Sequence, residues 1–375
     1  MNCLDVCCLP FIYIYRCIIW MCPCMFNIRY SSYEPFDIQL QNNRCREGGW
    51  FTDDYKSLVS TRDTFYTLIA LRLRNKGGKE TFAFVKRLSK TLTADGQVAS
   101  GFTYHWLSNQ PIYVDNNSHQ MSVDANIMFI IMVWWSVEHH HEQLHKYYLH
   151  CQRAMHWLDT FTHNHILHEP IGASWEYTRK HDGKLLLTNV LMTQAIRSLE
   201  LIACTMKDKR LEEMYRDRHR HYVSKWQNEV YKTQETLPRI LAVYWNMVPK
   251  IFMSSFNQEI HTPHVPLRTS GPIKAASMMR DRVYGRGDLH QTVVWPWVGF
   301  LWVAILASRG EKVMARRWWT AYIEMHHAKT LYDIYDRDSG LPIRRAFLKA
   351  IPAHSLTIAM QMAANQLLTG LPVNV

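Results

Sequence analysis

Most of this chain has very little cysteine. Seven of the nine (Cys3, Cys7, Cys8, Cys17, Cys22, Cys24 and Cys45) fall within the first 45 residues, leaving Cys151 and Cys204 in the body. That usage excludes a disulfide framework for the body and fits a reducing compartment, which favours the cytoplasm. Beyond about residue 45 there is also no Pro-, Gly- or Ser-rich linker, no low-complexity tract and no internal repeat. The 375 residues therefore read as a Cys-rich leader, 1–45, and one domain, 46–375. No uninterrupted apolar run reaches the ~20 residues of a spanning helix, because the stretch 9–28 is broken by Pro10, Arg16 and Pro23. The basic start of a secretory signal is missing too. The leader is read as poorly ordered, with a membrane anchor or a thiol-rich metal site as the sharper alternatives.

No Gly-rich phosphate loop or nucleophile elbow is present, and Gly77-Gly78 reads as a connection between helices. Alternating strand patterns are few. From about residue 57 onward, apolar residues recur at helical spacing. Val123, Ile127, Ile130, Ile131 and Trp134 behind an N-cap Ser122 are one case; Leu191, Ala195, Leu199 and Ile202 are another; a third runs from Trp302 through Ile305 and Leu306. The pattern predicts helices over 57–75, 78–93, 122–138, 141–162, 187–206, 208–233, 236–248, 297–309, 311–329 and 354–369, an all-α domain. The longest intervening loops, 94–121, 163–186, 250–295 and 330–353, are of a length that usually carries function.

Basic and aromatic residues, by contrast, are abundant. The formal charge is +11, yet the densest basic cluster, Lys207–Arg210 and Arg216–Arg220, alternates with acids. It reads as a solvated helix face, and no nucleic-acid partner is expected. Fourteen Trp and nineteen Tyr exceed what a core needs, and several stand beside Asp, Asn or Pro, so some should line a groove.

Five stretches supply acids, aromatics or both: Gly49-Trp50-Phe51-Thr52-Asp53 with Arg62-Asp63-Thr64-Phe65; Ser122-Val123-Asp124-Ala125-Asn126; Ser174-Trp175-Glu176-Tyr177; Val294-Trp295-Pro296-Trp297; and Tyr332-Asp333-Ile334-Tyr335-Asp336. A sugar needs this chemistry, since its C–H faces stack on aromatics and glycosidic cleavage uses two carboxyl groups. Each stretch also has a plainer reading. Arg62-Asp63 can be an intrahelical ion pair with a capping Asp, Asp124 can simply favour a helix dipole, and Asp338-Ser339-Gly340 is a turn. Glu176, between two aromatics, can be desolvated toward the pKa of a general acid, or can sit on an ordinary surface loop. A competing motif, His141-Glu142-Gln143-Leu144-His145, has the zinc-protease spacing. Its flanks Glu138, His139, His140 and Lys146 are polar and no third ligand is well placed, His150 and Glu169 included, so an exposed His-rich face is the simpler reading.

Together these stretches resemble the glucosidase domain of glycogen debranching enzymes, a helical toroid of the (α/α)6 type shared by several glycoside hydrolase families. The resemblance covers most of residues 48–369. Trp50-Phe51-Thr52-Asp53 and Arg62-Asp63-Thr64 are similar to the family's W-F-x-D…R-D-T element, here parted by an Asp54–Thr61 insertion, and imply contacts to the sugar. Ala94-Asp95-Gly96-Gln97-Val98 resembles its D-G-x-I-P turn and Ser122-Val123-Asp124-Ala125 its S-V-D-A helix start. The same Asp is similar to the general acid of neutral/alkaline invertases, V-D-S-G. Ser174-Trp175-Glu176 falls where debranching enzymes carry W-M-D and trehalases W-D, with Glu here directly after Trp. Thr292-Val293-Val294-Trp295-Pro296-Trp297-Val298-Gly299 matches T-V-W-P-W-x-x-G and implies a sugar-binding wall. Tyr332-Asp333-Ile334-Tyr335-Asp336 falls where the family has S-E-I-F-D or P-E-Y-Y-D, so its general base, a Glu, is Asp333 here.

The resemblance implies an inverting glycoside hydrolase acting on an α-glucosidic bond of an oligosaccharide or disaccharide, with no cofactor or metal. Asp333 is then the base, Glu176 or Asp124 the acid, and Trp50, Phe51, Asp53, Arg62, Asp63, Trp175, Trp295 and Trp297 the sugar-holding set. Such a pair of carboxyls stands ~6.5–9.5 Å apart. Three alternatives stay open: a neutral/alkaline invertase acting on sucrose, an inactive carbohydrate-binding homologue, and a zinc metalloprotease using His141, Glu142 and His145. The ten predicted helices fall short of a complete toroid.

Overall fold

A computed structural model describes residues 36–45, 48–51, 58–104, 111–114, 123–137, 143–170, 184–233, 235–249, 293–325, 331–336, 339–345, 348–350 and 354–370. The compact unit runs from Pro35 to Val375. Its first element, α1 (Phe36–Asn42), packs on the last helix and buries Leu40, with Cys45 buried just beyond, so this end of the Cys-rich segment belongs with the body. Cys151 is a buried free thiol and Cys204 an exposed one. No described helix is long and apolar enough to cross a membrane.

In chain order follow β1 (Leu58–Ser60), α2 (Thr61–Leu73), α3 (Gly78–Leu88), β2 (Gly101–Tyr104), β3 (Pro111–Val114), α4 (Val123–Val137) and α5 (Leu144–Asp159). Next come β4 (Thr162–His163), β5 (Ile166–Leu167), α6 (Leu186–Thr205), α7 (Lys209–Lys232), α8 (Thr236–Tyr244), β6 (Val293–Val294), α9 (Pro296–Ser308), α10 (Lys312–Met325), β7 (Tyr335–Asp336), β8 (Arg344–Arg345), β9 (Leu348–Lys349) and α11 (Ser355–Thr369). The fold is mostly helical, and each predicted helix is present among the described residues. Two ends differ for a local reason. Residues 58–60 are strand, not helix, because Val59 pairs with Phe102 in an antiparallel sheet β1-β2-β3. Ser60 then caps α2, its Oγ accepting from the Asp63 amide at 3.3 Å. The segment 78–93 leaves α-geometry after Leu88 in a 3-10 turn, Ser89–Thr91.

Helices α2, α4, α6, α8, α9 and α11 touch one another in a closed cycle in that order, α11 returning to α2. Helix α4 is buried at every described position except Trp134, and α9 from Pro296 to Ala307, which is why both read as apolar all round. The others lie outside this cycle. Helix α3 covers α4, α5 covers α4 and α6, α7 covers α6, and α10 covers α9. Their burial is a stripe, as in α7, where Tyr215, Tyr222, Trp226 and Val230 face inward.

Neighbouring inner helices run in the same direction. Arg74, closing α2, donates Nε to Gln366 near the end of α11 at 2.8 Å, and Arg309, closing α9, donates to the carbonyls of Val243 and Tyr244 at the end of α8. At the opposite end Arg62 of α2 meets Asp124 of α4, and Asn126 of α4 donates to Ala154 near the end of antiparallel α5. Asn189 in the first turn of α6 holds Leu167, just past α5. The starts of these helices, with their positive dipole ends, are thus gathered on one side.

Two glycines of the resembling motifs have steric roles. The turn at Gly96 (φ +100) is sealed by Asn126, which donates Nδ2 to the Gly96 carbonyl and accepts from the Val98 amide, both at 2.8 Å. A Cβ at Gly96 would lie 2.2 Å from the Arg153 carbonyl oxygen, and one at Gly299 would lie 1.9 Å from Tyr322 Cζ. Gly96→Ala is expected to cost about 3 kcal/mol, from positive φ plus a backbone clash, read as a lower urea midpoint.

Candidate functional site

The Trp50-Phe51 ribbon crosses the starts of two inner helices. Phe51 bridges Val59 of β1, the Trp50 amide donates to Thr64 Oγ1 at 3.4 Å, and the Phe51 carbonyl accepts from Ser355 Oγ at 3.0 Å. Trp50 is buried and Phe51 partly exposed. The backbone of Trp50 and Phe51 thus fastens the ribbon to α2, α11 and β1.

Arg62 does not pair within its helix. Its Nε and one terminal nitrogen both reach Asp124 Oδ2 at 2.7 Å. Adjacent helical positions point in different directions, so the neighbouring Asp63 is poorly placed to share that guanidinium. Burial pulls the Arg62 pKa down, but the Asp124 charge and hydrogen bond, then Asp63 and Tyr66, outweigh it and the net shift is upward. Burial raises the Asp63 pKa; His354 and Arg62 oppose that rise and Asp124 adds to it. Burial, helped by Asp124, also drives the Tyr66 hydroxyl well up. Tyr66 lies one turn beyond Arg62 and its ring centroid is 4.7 Å from that of Trp297, which is itself buried.

Because Asp63 binds its proton more tightly in the fold than in the unfolded chain, its favourable contribution is complete below the unfolded value near 3.8 and is lost as pH rises through the raised folded value. Asp63→Asn is therefore expected to raise Tm at pH 7, with the gain fading near about pH 3, as measured by thermal unfolding across that range.

The C-terminal motif arrives by a strand pair. Val294 is paired with Tyr335 and Val293 with Asp336, which sets Tyr332–Asp336 beside the start of α9. Trp295, the N-cap of α9, and Tyr332 pack on a small cluster of Val293, Ile334, Ile343 and Ala350. Asp333 is buried next to Tyr335, whose hydroxyl accepts from the Tyr332 amide at 3.1 Å. Burial raises the Tyr335 pKa, as do the Tyr332 and Asp333 charges, against that hydrogen bond. Asp336 serves the turn instead, accepting from the Ser339 amide and hydroxyl at 2.9 and 3.0 Å.

The structure thus joins Trp50, Phe51, Arg62, Asp63, Asp124 and Trp297 at one end of the inner helices and sets Asp333 with Trp295 at the start of α9. Asp53, Trp175 and Glu176 lie outside the described residues, as do Ser122, His141 and Glu142. His145 is exposed in the first turn of α5, and no three His, Cys, Asp or Glu among the described residues are grouped to hold a metal. Sequence reasoning missed Tyr66 and His354. The spacing of Tyr66, three and four residues beyond Asp63 and Arg62, was a usable sign of a shared helix face. It also gave Glu169 no role at the site. That carboxyl is buried and accepts from Thr188 Oγ1 at 2.7 Å in the first turn of α6.

No family model and no curated protein matches the chain. Solved structures do. A glycosidase variant in complex with glucose matches with TM-score 0.63 and 11% identity over 90% of this chain and 96% of that one. The rhamnosidase from Klebsiella oxytoca with rhamnose bound matches with TM-score 0.64 and 11% identity over 90% of this chain and 63% of its own. The GH63 mannosylglycerate hydrolase from Thermus thermophilus in complex with glucose matches with TM-score 0.57 and 11% identity over 90% and 99%. The chain has a glycoside hydrolase-type fold.

Proposed function

We propose that this protein is a glycoside hydrolase built on an (α/α)6 toroid and cleaving an α-glucosidic bond with inversion, in the manner of debranching glucosidases. The observation that carries the reading is the convergence of the Arg62–Asp124 pair, Asp63 and the Trp50-Phe51 ribbon at the starts of the inner helices, in a fold shared with glycosidases. The alternation of outer and inner helices among the described residues supports the toroid.

In this mechanism Asp333 takes a proton from water as the water attacks the anomeric carbon, and a carboxylic acid on the other side of the sugar protonates the leaving oxygen. Two Arg62 N–H groups bind Asp124 through Oδ2, so this carboxyl already stands against a cation. That favours Glu176 as the acid and gives Asp124 the task of fixing Arg62. Arg62 and Asp63 then hold sugar hydroxyls, while Trp50, Phe51, Asp53, Trp175, Trp295 and Trp297 shape the subsite. Hydrolysis of isomaltose, a branched limit dextrin, trehalose and sucrose by the purified protein tests this. Release of β-glucose from an α-linked substrate supports it, and a product that keeps the α-configuration refutes the inverting pair. Turnover of sucrose alone would favour the invertase reading, and sugar binding without turnover the inactive one.

A further inference from the structure

On its outer side, helix α5 and the turn at Ala94-Asp95 border an open cavity of about 1100 Å3. Its residues on α5 recur three and four positions apart, from Lys146 through Leu149, His150 and Arg153 to Trp157, with Thr160 capping the helix end; Tyr147, Cys151, Ala154 and Leu158 form the buried stripe, and Trp157, itself buried, stands at its edge. The cavity therefore belongs to the outward stripe of α5 and not to the gathered helix starts. Leu149, which is 62% exposed, Trp157 and Phe161 make its walls apolar; the two rings stand 4.8 Å apart, edge to face.

Its charge is one-sided. Lys146 and Arg153 line it against a single carboxylate, Asp95, which already accepts from Thr93 Oγ1. Arg153 spends one terminal nitrogen on the carbonyls of Thr93 and Ala94, contacts that leave its charge unneutralised, and Lys146 lies 5.9 Å over the Tyr147 ring. His150 registers the resulting field: its pKa is lowered first by burial, then by Arg153 and Lys146. Its Nδ1 is buried without a hydrogen-bond partner. Apolar walls strengthen the attraction between these cations and an anion held among them.

We infer that this cavity is a binding site for a ring-bearing carboxylate, with the apolar face of the ring against Leu149, Trp157 and Phe161 and the carboxylate toward Lys146 and His150. Its volume is of the order of small-molecule sites. Acidic sugars and aromatic acids share that chemistry, and binding measurements separate them.

Sodium glucuronate and sodium benzoate, with glucose and benzyl alcohol as their neutral counterparts, are titrated into the full chain and followed by saturation-transfer NMR. At least one anion is expected to bind in preference to its neutral counterpart, more weakly as salt is added; which anion binds assigns the source. Leu149→Asp puts a like charge at an exposed wall position, where folding is not at stake, and is expected to weaken that anion roughly fivefold. Asp333→Asn is expected to leave it unchanged, which separates this site from the proposed hydrolysis. Equal binding of the neutral counterparts, insensitivity to Leu149→Asp, loss in Asp333→Asn, or no binding at millimolar concentration would each overturn the assignment.

Discussion

Replacing Asp333 by Asn is expected to lower kcat for the hydrolysed sugar roughly a thousandfold, the size of a general-base contribution. KM should change little, because the lost interaction is made in the transition state and not in sugar binding. The substitution is nearly isosteric, and the backbone on either side stays pinned by the β6–β7 pair and by the Tyr332 amide on the Tyr335 hydroxyl. An unchanged Tm should therefore accompany the lost activity. Asp333→Glu is the informative companion. It restores the longer carboxylate of the resembling enzymes, but catalytic geometry is sensitive to shifts of about 1 Å, so a pocket built around Asp should accept it only in part. Hydrolysis at wild-type rate in Asp333→Asn would remove the residue from the chemistry. A Glu variant faster than the wild type would identify the natural Asp as a weakened base.

The helices were legible because their apolar spacing is strong. In α6, Leu191, Ala195, Leu199 and Ile202 are all buried as their period demands. Residues 58–60 escaped because a strand that short carries no period of its own and is set by pairing with Phe102, far along the chain. Helix α1 escaped because its residues lie within the segment read as the Cys-rich leader and it is stabilised by docking on α11. At the site, the residue types were readable and their partners were not. Arg62 lies in sequence beside one carboxylate and in space against another, 62 positions away. The aromatic-rich motifs were read as groove walls; the structure adds that Trp50 and Trp297 are buried and that the Trp297 ring packs against Tyr66. Neither relation is visible until the cyclic order of the inner helices brings their starts together.

A loss of stability as large as that of Gly96→Ala is expected from Arg62→Met. Asp124 keeps 4% of its side-chain exposure, and the variant removes both donors from its Oδ2, leaving a buried charge whose main cation is gone. Such a loss costs about 3 kcal/mol, because desolvation of the remaining charge is no longer offset. The double variant Arg62→Met/Asp124→Leu removes that charge as well and should recover more than half of the loss, since apolar replacement of a buried pair is often close to neutral. An exposed pair supplies the scale. Arg220 and Asp217 keep 71% and 66% exposure, so Arg220→Met should cost under about 1 kcal/mol. Urea unfolding of the four proteins decides between these expectations. If Arg62→Met falls no further than Arg220→Met, the Arg62–Asp124 pair is an ordinary surface contact and has no part in holding the starts of α2 and α4 together. If the double variant regains stability but hydrolyses no sugar, the pair is kept for the site at a cost to the fold, as expected where a buried charge must be ready for a polar ligand.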